Sequence, residues 1–273
     1  MLYLYVWSFL QIIFESLPIS SSGNVILWSI CIARLANWFE IVEISKNIDF
    51  IMHGPTLIII VIFFRKQLLA LYNRCIYEDG FIKKIVMFMI CADSVTCTWF
   101  LWFAYYKVMM PLWIGFLITA LSLFSLTLIK KDSTQILVPS ENYQGTDISW
   151  SMKNGFLLGF LQGIALMPGV SRFALTFVGA RWLQFSAYDA LFVSFLLQMP
   201  LIGAAFVKGI WSVHYEDMSN VLGTSNFMMI VGGATCLSYV LFIFVSRMAY
   251  RQKLHLFAWY MVLIAGAAWY WGL

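Results

Sequence analysis

Most of this chain is apolar in unbroken runs, such as 58–64 and 112–129, rather than in the alternation of a half-buried strand. Transmembrane barrel strands alternate apolar and polar residues, so the pattern predicts helices. A helix that crosses a bilayer needs about 20 mostly apolar residues. Six stretches are read as such spans: 50–64, 85–105, 109–129, 190–210, 222–245 and 256–271.

Two further apolar stretches, 2–36 and 152–183, are broken in the middle. The first is interrupted by Glu15-Ser-Leu-Pro-Ile-Ser-Ser-Ser-Gly-Asn24, the second by Met167-Pro-Gly-Val-Ser-Arg172. Backbone that leaves helical pairing inside a bilayer is tolerated only where protein or a wet cavity satisfies it. Both stretches therefore predict re-entrant helix–break–helix hairpins.

Lysine and arginine collect on alternate connections. Arg65, Lys66, Arg74, Lys83 and Lys84 crowd one, Lys130, Lys131 and Lys153 a second, and Arg247, Arg251 and Lys253 a third. The intervening connections carry Lys46 in 37–49, Lys107 in 105–108 and no lysine or arginine in 214–220. Cytoplasmic loops hold the excess of positive charge, which puts both termini outside. The first hairpin then enters from outside and the second from the cytoplasm. Broken helices that meet near the midplane are the layout of an inverted repeat.

Each break is also followed by an arginine (Arg34, Arg181), an aspartate (Asp49, Asp189) and a proline in the next span (Pro55, Pro200). The expected fold is an all-α polytopic membrane protein with about six transmembrane helices and two opposed re-entrant hairpins. It is read as a single integral domain over 1–273, its inverted halves 1–129 and 151–273 joined by a cytoplasmic linker at 130–150.

Composition removes the competing classes. The chain is 62% hydrophobic and 11% charged, against about 25% charged in soluble domains. With 18% aromatic residues and a mean hydropathy of +0.84, it is not a soluble enzyme, a disordered chain or a disulfide scaffold. A net charge of +4 comes without a basic cluster that would suit nucleic acid. The five cysteines (Cys31, Cys75, Cys91, Cys97, Cys236) lack CxxC spacing and are expected as small buried hydrophobes. The first basic residue is Arg34, so no cleavable signal peptide with a positive leading segment is expected.

Few residues could carry chemistry in such a setting. Gln11 and Glu15 are four apart on one helix face, and an intramembrane carboxylate is a functional candidate by default. Its bland alternative is a protonated or Arg-paired Glu. Ser20, Ser21, Ser22 and Gly23 follow Pro18 and open a helix, where hydroxyls and free N–H groups suit an anion or simply cap. Arg172 brings a planar fork that matches phosphate oxygens, or else forms a structural pair with Glu15. Asp93 is read as a structural cap before a cation ligand, and His53, beside Gly54-Pro55, as an interhelical hydrogen-bonding residue. Together these residues describe an anion site inside a bilayer, whose ligand has a negative head and could carry a lipid tail.

Those residues also carry a resemblance to a known family. Gln11-Ile-Ile-Phe-Glu15-Ser-Leu-Pro-Ile-Ser-Ser-Ser-Gly23 is similar to the (E/Q)xxxE-x-LP-x-SSxGH element of the undecaprenyl-diphosphate phosphatases, the bacitracin-resistance proteins. Gln162-Gly-Ile-Ala-Leu-Met-Pro-Gly-Val-Ser-Arg172 resembles their Q-x-x-A-x-x-PG-x-SRSG element, and 49–64 and 192–204 resemble further segments.

The resemblance implies an enzyme that removes the terminal phosphate of undecaprenyl or another polyprenyl diphosphate. That step recycles the lipid carrier for cell-wall (peptidoglycan) synthesis, and with it cell shape and bacitracin resistance. It implies a multi-pass protein of the bacterial inner membrane, a site facing the periplasm, no nucleic acid, and a divalent cation (Mg or Ca) held by Glu15; a homodimer is left open.

By position, the resemblance makes Glu15, Ser21 and Arg172 catalytic, and Gln11, Ser20, Ser22, Gly23, Asn24, Gly169 and Ser171 substrate-binding. The attacking group is Ser21 or a metal-bound water. Two departures stand out. The family's motif His is Asn24 here, and the Ser and Gly after its Arg are Phe173 and Ala174. Asn cannot exchange a proton near neutral pH, so activity is expected to be weakened, with Glu15 ahead of His53 as the substitute base. Position 24 is expected to point at the bound anion. The rival readings are a non-catalytic lipid-phosphate flippase on the same fold, and an anion transporter unrelated to lipid.

Overall fold

The computed structural model describes residues 2–36, 41–108, 110–129, 148–212 and 224–273, and all regular structure among them is helical. In chain order the helices are α1 (Leu2–Ser16), α2 (Ser21–Ala36), α3 (Ile41–Phe63), α4 (Arg65–Tyr77), α5 (Phe81–Tyr106) and α6 (Leu112–Ser125). They continue with α7 (Met152–Ile164), α8 (Arg172–Trp182), α9 (Ala187–Ser212), α10 (Thr224–Tyr250) and α11 (Phe257–Tyr270). Most of the expected linker 130–150, and the connection at 214–220, lie outside the described residues.

Both interrupted stretches fold as helix–break–helix, α1–α2 and α7–α8, with the breaks at the Pro/Ser/Gly segments. Length is more varied than six equal spans. Among the described residues, three helices are long and apolar enough to cross a membrane, over Phe81–Tyr106, Ala187–Trp211 and Met229–Tyr250. A fourth is added if α3 and α4, bent by 67°, count as one. Leu112–Leu128 and Leu254–Tyr270 are shorter: 14 α-helical and three 3₁₀ residues reach about 27 Å, against a hydrocarbon core of about 30 Å.

The surface says what the solvent is. In α5 only 22% of the apolar window is buried, so Phe100, Leu101 and Trp102 face outward. Such a surface is stable only against lipid, and the protein is membrane-embedded. The cysteines follow the same logic: Cys75 and Cys91 are half-buried and Cys97 and Cys236 exposed, correcting the expectation of burial. A thiol facing acyl chains loses nothing by not being in the core.

Packing inside depends on close backbone approach. Gly155, Gly159 and Gly163 recur every fourth residue on α7 and make a flat stripe against α5. A Cβ on Gly155 would lie 2.6 Å from the Phe88 carbonyl oxygen, and one on Gly159 2.4 Å from that of Ala92. Small residues at such spacing let membrane helices touch without a hydrophobic driving force. Thr96 adds a hydroxyl 3.1 Å from the Gly159 carbonyl.

The helix contacts exchange between the halves. The leading helix of each broken pair packs on the other half: α1 on α10, and α7 on α5. The two proline-containing helices α3 and α9 pack together, as do the short helices α6 and α11. At the centre, Phe64, Phe192, Phe195 and Phe242 form an edge-and-tilt aromatic cluster.

Candidate functional site

The first break follows from Pro18 and ends in Ser20, whose φ of +57° reverses the chain. Ser20 Oγ accepts from the Gly23 N–H at 3.4 Å, so it caps α2. The second break turns through Gly169 at φ +83°. There Ser171 caps α8, its hydroxyl accepting from the Ala174 N–H. Thr119 of α6 holds this turn: its hydroxyl accepts from the Ser171 N–H at 2.9 Å and lies 3.1 Å from the Gly169 carbonyl.

The two breaks touch through glycines. A Cβ on Gly23 would fall 2.7 Å from Gly169 Cα, and one on Gly115 2.1 Å from the Pro168 carbonyl oxygen. With no side chains between them, the N-termini of α2 and α8 converge. Each presents unpaired N–H groups and the positive end of its dipole, which favours an anion.

A cavity of about 40 Å³ lies at this junction, room for about three or four waters at about 10–15 Å³ each. Glu15, Ser20, Ser21, Ser22, Ser171 and Arg172 all line it. Among the described residues no carboxylate lies within ion-pair distance of the Arg172 guanidinium. The structural Arg172–Glu15 pair is therefore not formed, although both face the same cavity.

Four residues expected to contact substrate do not line this cavity. Gln11 is buried on α1 with its Oε1 unpartnered, and Gly23 and Gly169 serve the contact between the breaks; none of the three lines the cavity. Asn24 is the clear correction. It is fully buried, its amide donating to the Ile19 and Ser20 carbonyls and its Oδ1 accepting from the Tyr260 hydroxyl at 2.7 Å. The break leaves the Ile19 carbonyl in need of a donor, and the Asn24 amide supplies it while adding a second bond to the Ser20 carbonyl, which already accepts the Asn24 backbone N–H; the side chain thus turns into the fold.

His53 makes the interhelical hydrogen bond expected of it, from α3 to α1. Its Nδ1 lies 2.6 Å from Glu15 Oε1, behind the cavity wall, while Glu15 Oε2 is buried without a partner. Sequence reasoning missed Thr56, whose buried Oγ1 is unpartnered, and Gln198, both on the cavity. A signal existed: His53 and Gln198 each stand two residues before the proline of an apolar helix, Pro55 and Pro200. Phe173, in place of the family's serine, lines the cavity and stacks on Phe195 at 4.8 Å. Asp93 is half-buried on α5 with an unpartnered Oδ1 and caps neither Ser94 nor Thr96.

Among the described residues no three His, Cys, Asp or Glu groups cluster to hold a metal ion. The orphaned oxygens of Glu15 and Thr56 are nonetheless the hard donors that Mg²⁺ or Ca²⁺ takes, and Mg²⁺ sites commonly use one or two carboxylates completed by substrate phosphates. The donor set fits such an ion only with the phosphates present.

This is an integral-membrane helical protein whose two broken helix pairs enclose a polar, arginine-bearing cavity. A family model described as bacitracin resistance protein BacA matches residues 4–267, and the chain belongs to that family. It is 24% identical over 284 residues to the undecaprenyl-diphosphatase of Borrelia recurrentis, covering 97% of this chain and 96% of the relative. It is also 26% identical over 207 residues to that of Elusimicrobium minutum (75% and 74% covered). Against undecaprenyl-diphosphatase 4 of Bacillus thuringiensis the identity is 24% over 263 residues (94% and 92% covered).

Proposed function

We propose that this protein hydrolyses undecaprenyl or a similar polyprenyl diphosphate to the monophosphate and phosphate, recycling the lipid carrier of cell-wall synthesis. One observation carries the reading: an Arg172 guanidinium without an ion pair among the described residues shares a buried cavity with Glu15 and the hydroxyls of two converging helix N-termini. Arg172 and the helix N-termini bind the diphosphate and stabilise the charge that moves to the leaving monophosphate. The Ser21 hydroxyl or a water attacks the terminal phosphorus, and the bond to the bridging oxygen breaks. If Ser21 attacks, a water then releases the phosphate from it.

The proton of the attacking group passes to Glu15, the carboxylate on the cavity. An ionised carboxylate has about four acceptor positions. His53 occupies one, which leaves capacity at Oε2 for a proton and for a divalent cation. Such a cation, when bound, neutralises phosphate charge.

The finer topology belongs to the same proposal: six membrane crossings, both termini outside, hairpins entering from opposite faces, inverted halves, and a site open to the periplasm of the inner membrane. Its support is the exchange of helix contacts between halves and the meeting of the two breaks.

The test is phosphate release by purified protein in detergent from a long-chain polyprenyl diphosphate, with and without chelator. Arg172→Ala should abolish release while the protein stays folded. Arg172→Lys should fail as well, since it keeps the charge but loses the fork. Tight binding of the lipid diphosphate without any turnover would refute hydrolysis and leave a carrier.

A further inference from the structure

Glu15 has a single polar partner among the described residues, His53, and the two belong to different helices. Glu15 sits in the last turn of α1 and His53 midway along α3. Their side chains are 11% and 7% exposed for His53 and Glu15 respectively, with 2.6 Å between Nδ1 and Oε1. His53 itself does not line the cavity; it stands behind the carboxylate that does.

The local sequence of α3 brings the imidazole there. Pro55 has no N–H for the Ile51 carbonyl and loosens the helix at this level. Gly54 lets the ring of Phe206 come close, since a Cβ at 54 would lie 2.5 Å from it. Asn24, at the position where the resembling family has its histidine, is tied to backbone carbonyls and Tyr260. The imidazole near this site thus comes from a different helix.

We infer that His53 is the positioning residue of this site: by donating its Nδ1–H to Glu15 Oε1 it fixes the carboxylate so that Oε2 faces the reacting groups. A group that takes the proton of the attacking nucleophile must start as the carboxylate, which only accepts hydrogen bonds, so the proposed role makes Nδ1 the donor. A free glutamate side chain has three rotatable bonds, and ordering it costs conformational entropy. The hydrogen bond meets that cost in advance. Outer partners that orient a ligating or reacting carboxylate typically change activity by about 10–100-fold when removed. The inference rests on the phosphatase reading.

The test compares the wild-type protein with His53→Asn and His53→Leu. The Asn amide nitrogen stands at the same bond separation from Cβ as Nδ1, so it preserves the donor while removing the imidazole; Leu removes both. Expected for His53→Leu is a fall in kcat of about 10–100-fold with KM within about threefold, and for His53→Asn a return to within about threefold of wild type. A second measurement is independent of turnover: the ¹⁵N shift of His53 Nδ1, which should move on Glu15→Gln.

An active His53→Leu overturns the inference. So does His53→Asn failing as badly as His53→Leu, because the ring and not the donor would then matter. If His53→Leu does not fold, His53→Asn and the Nδ1 shift decide, and an Nδ1 shift unmoved by Glu15→Gln overturns the inference too. A wild-type protein that releases no phosphate refutes the phosphatase reading itself, an outcome distinct from all of these.

Discussion

Gly115 on α6 leaves no room for a side chain beneath the second break. A Cβ added there would lie 2.1 Å from the Pro168 carbonyl oxygen and 2.9 Å from Gly169 Cα. Both are backbone atoms, so no rotamer change relieves the contact. Ordinary contact begins at 3.4 Å, and Gly115→Ala must open this gap by about 1.3 Å. The displaced segment runs directly into Ser171 and Arg172, and it carries the Gly169 carbonyl held near Thr119. Overpacking of this kind destabilises by about 1–3 kcal/mol. A misplacement of about 1 Å at a reacting group lowers the rate by about 10²-fold.

The assay is phosphate release in detergent, with the unfolding temperature measured on the same preparation. Gly266→Ala on α11 is the control, because a Cβ there meets nothing within 4 Å. It should keep wild-type kcat and gain about 0.5–1 kcal/mol from the removed glycine. Wild-type kcat in Gly115→Ala would refute the claim that contact between α6 and the break sets the position of Arg172.

Asn24→His should not raise phosphate release, because the side chain at 24 is buried against Tyr260 and two carbonyls; a rise of tenfold or more would put position 24 back at the reacting atoms. Gly159→Leu should separate α5 from α7 and reduce the yield of folded protein in detergent, and an unchanged unfolding temperature would remove the glycine stripe as a packing device. A cysteine at Asp79, in a background lacking the native cysteines, should react with an impermeant thiol reagent only after permeabilisation. Reaction in intact cells would invert the proposed topology.

Much of this protein is legible locally. Unbroken apolar runs mean helices in lipid, and a Pro/Ser/Gly segment within such a run means a break, because both follow from neighbours in the chain. That sufficed for the positions of α1–α2 and α7–α8, and for naming Glu15, the serines and Arg172. Span length was less legible, since α6 and α11 are short where hydropathy alone reads full crossings.

What only the tertiary structure decided is which polar side chain faces which neighbour. Asn24 and His53 are both buried polar residues near the first break, and the sequence ranked Asn24 as the contact. The fold gives each an inward partner: the Asn24 side chain meets the Ile19 and Ser20 carbonyls and the Tyr260 hydroxyl, while α3 brings His53 to Glu15 across 38 residues of chain. Thr56 and Gln198 join the cavity in the same way, through helix packing. A buried hydrogen bond is set by three-dimensional proximity, and in a chain this apolar the few polar groups take whichever partner the helices bring to them.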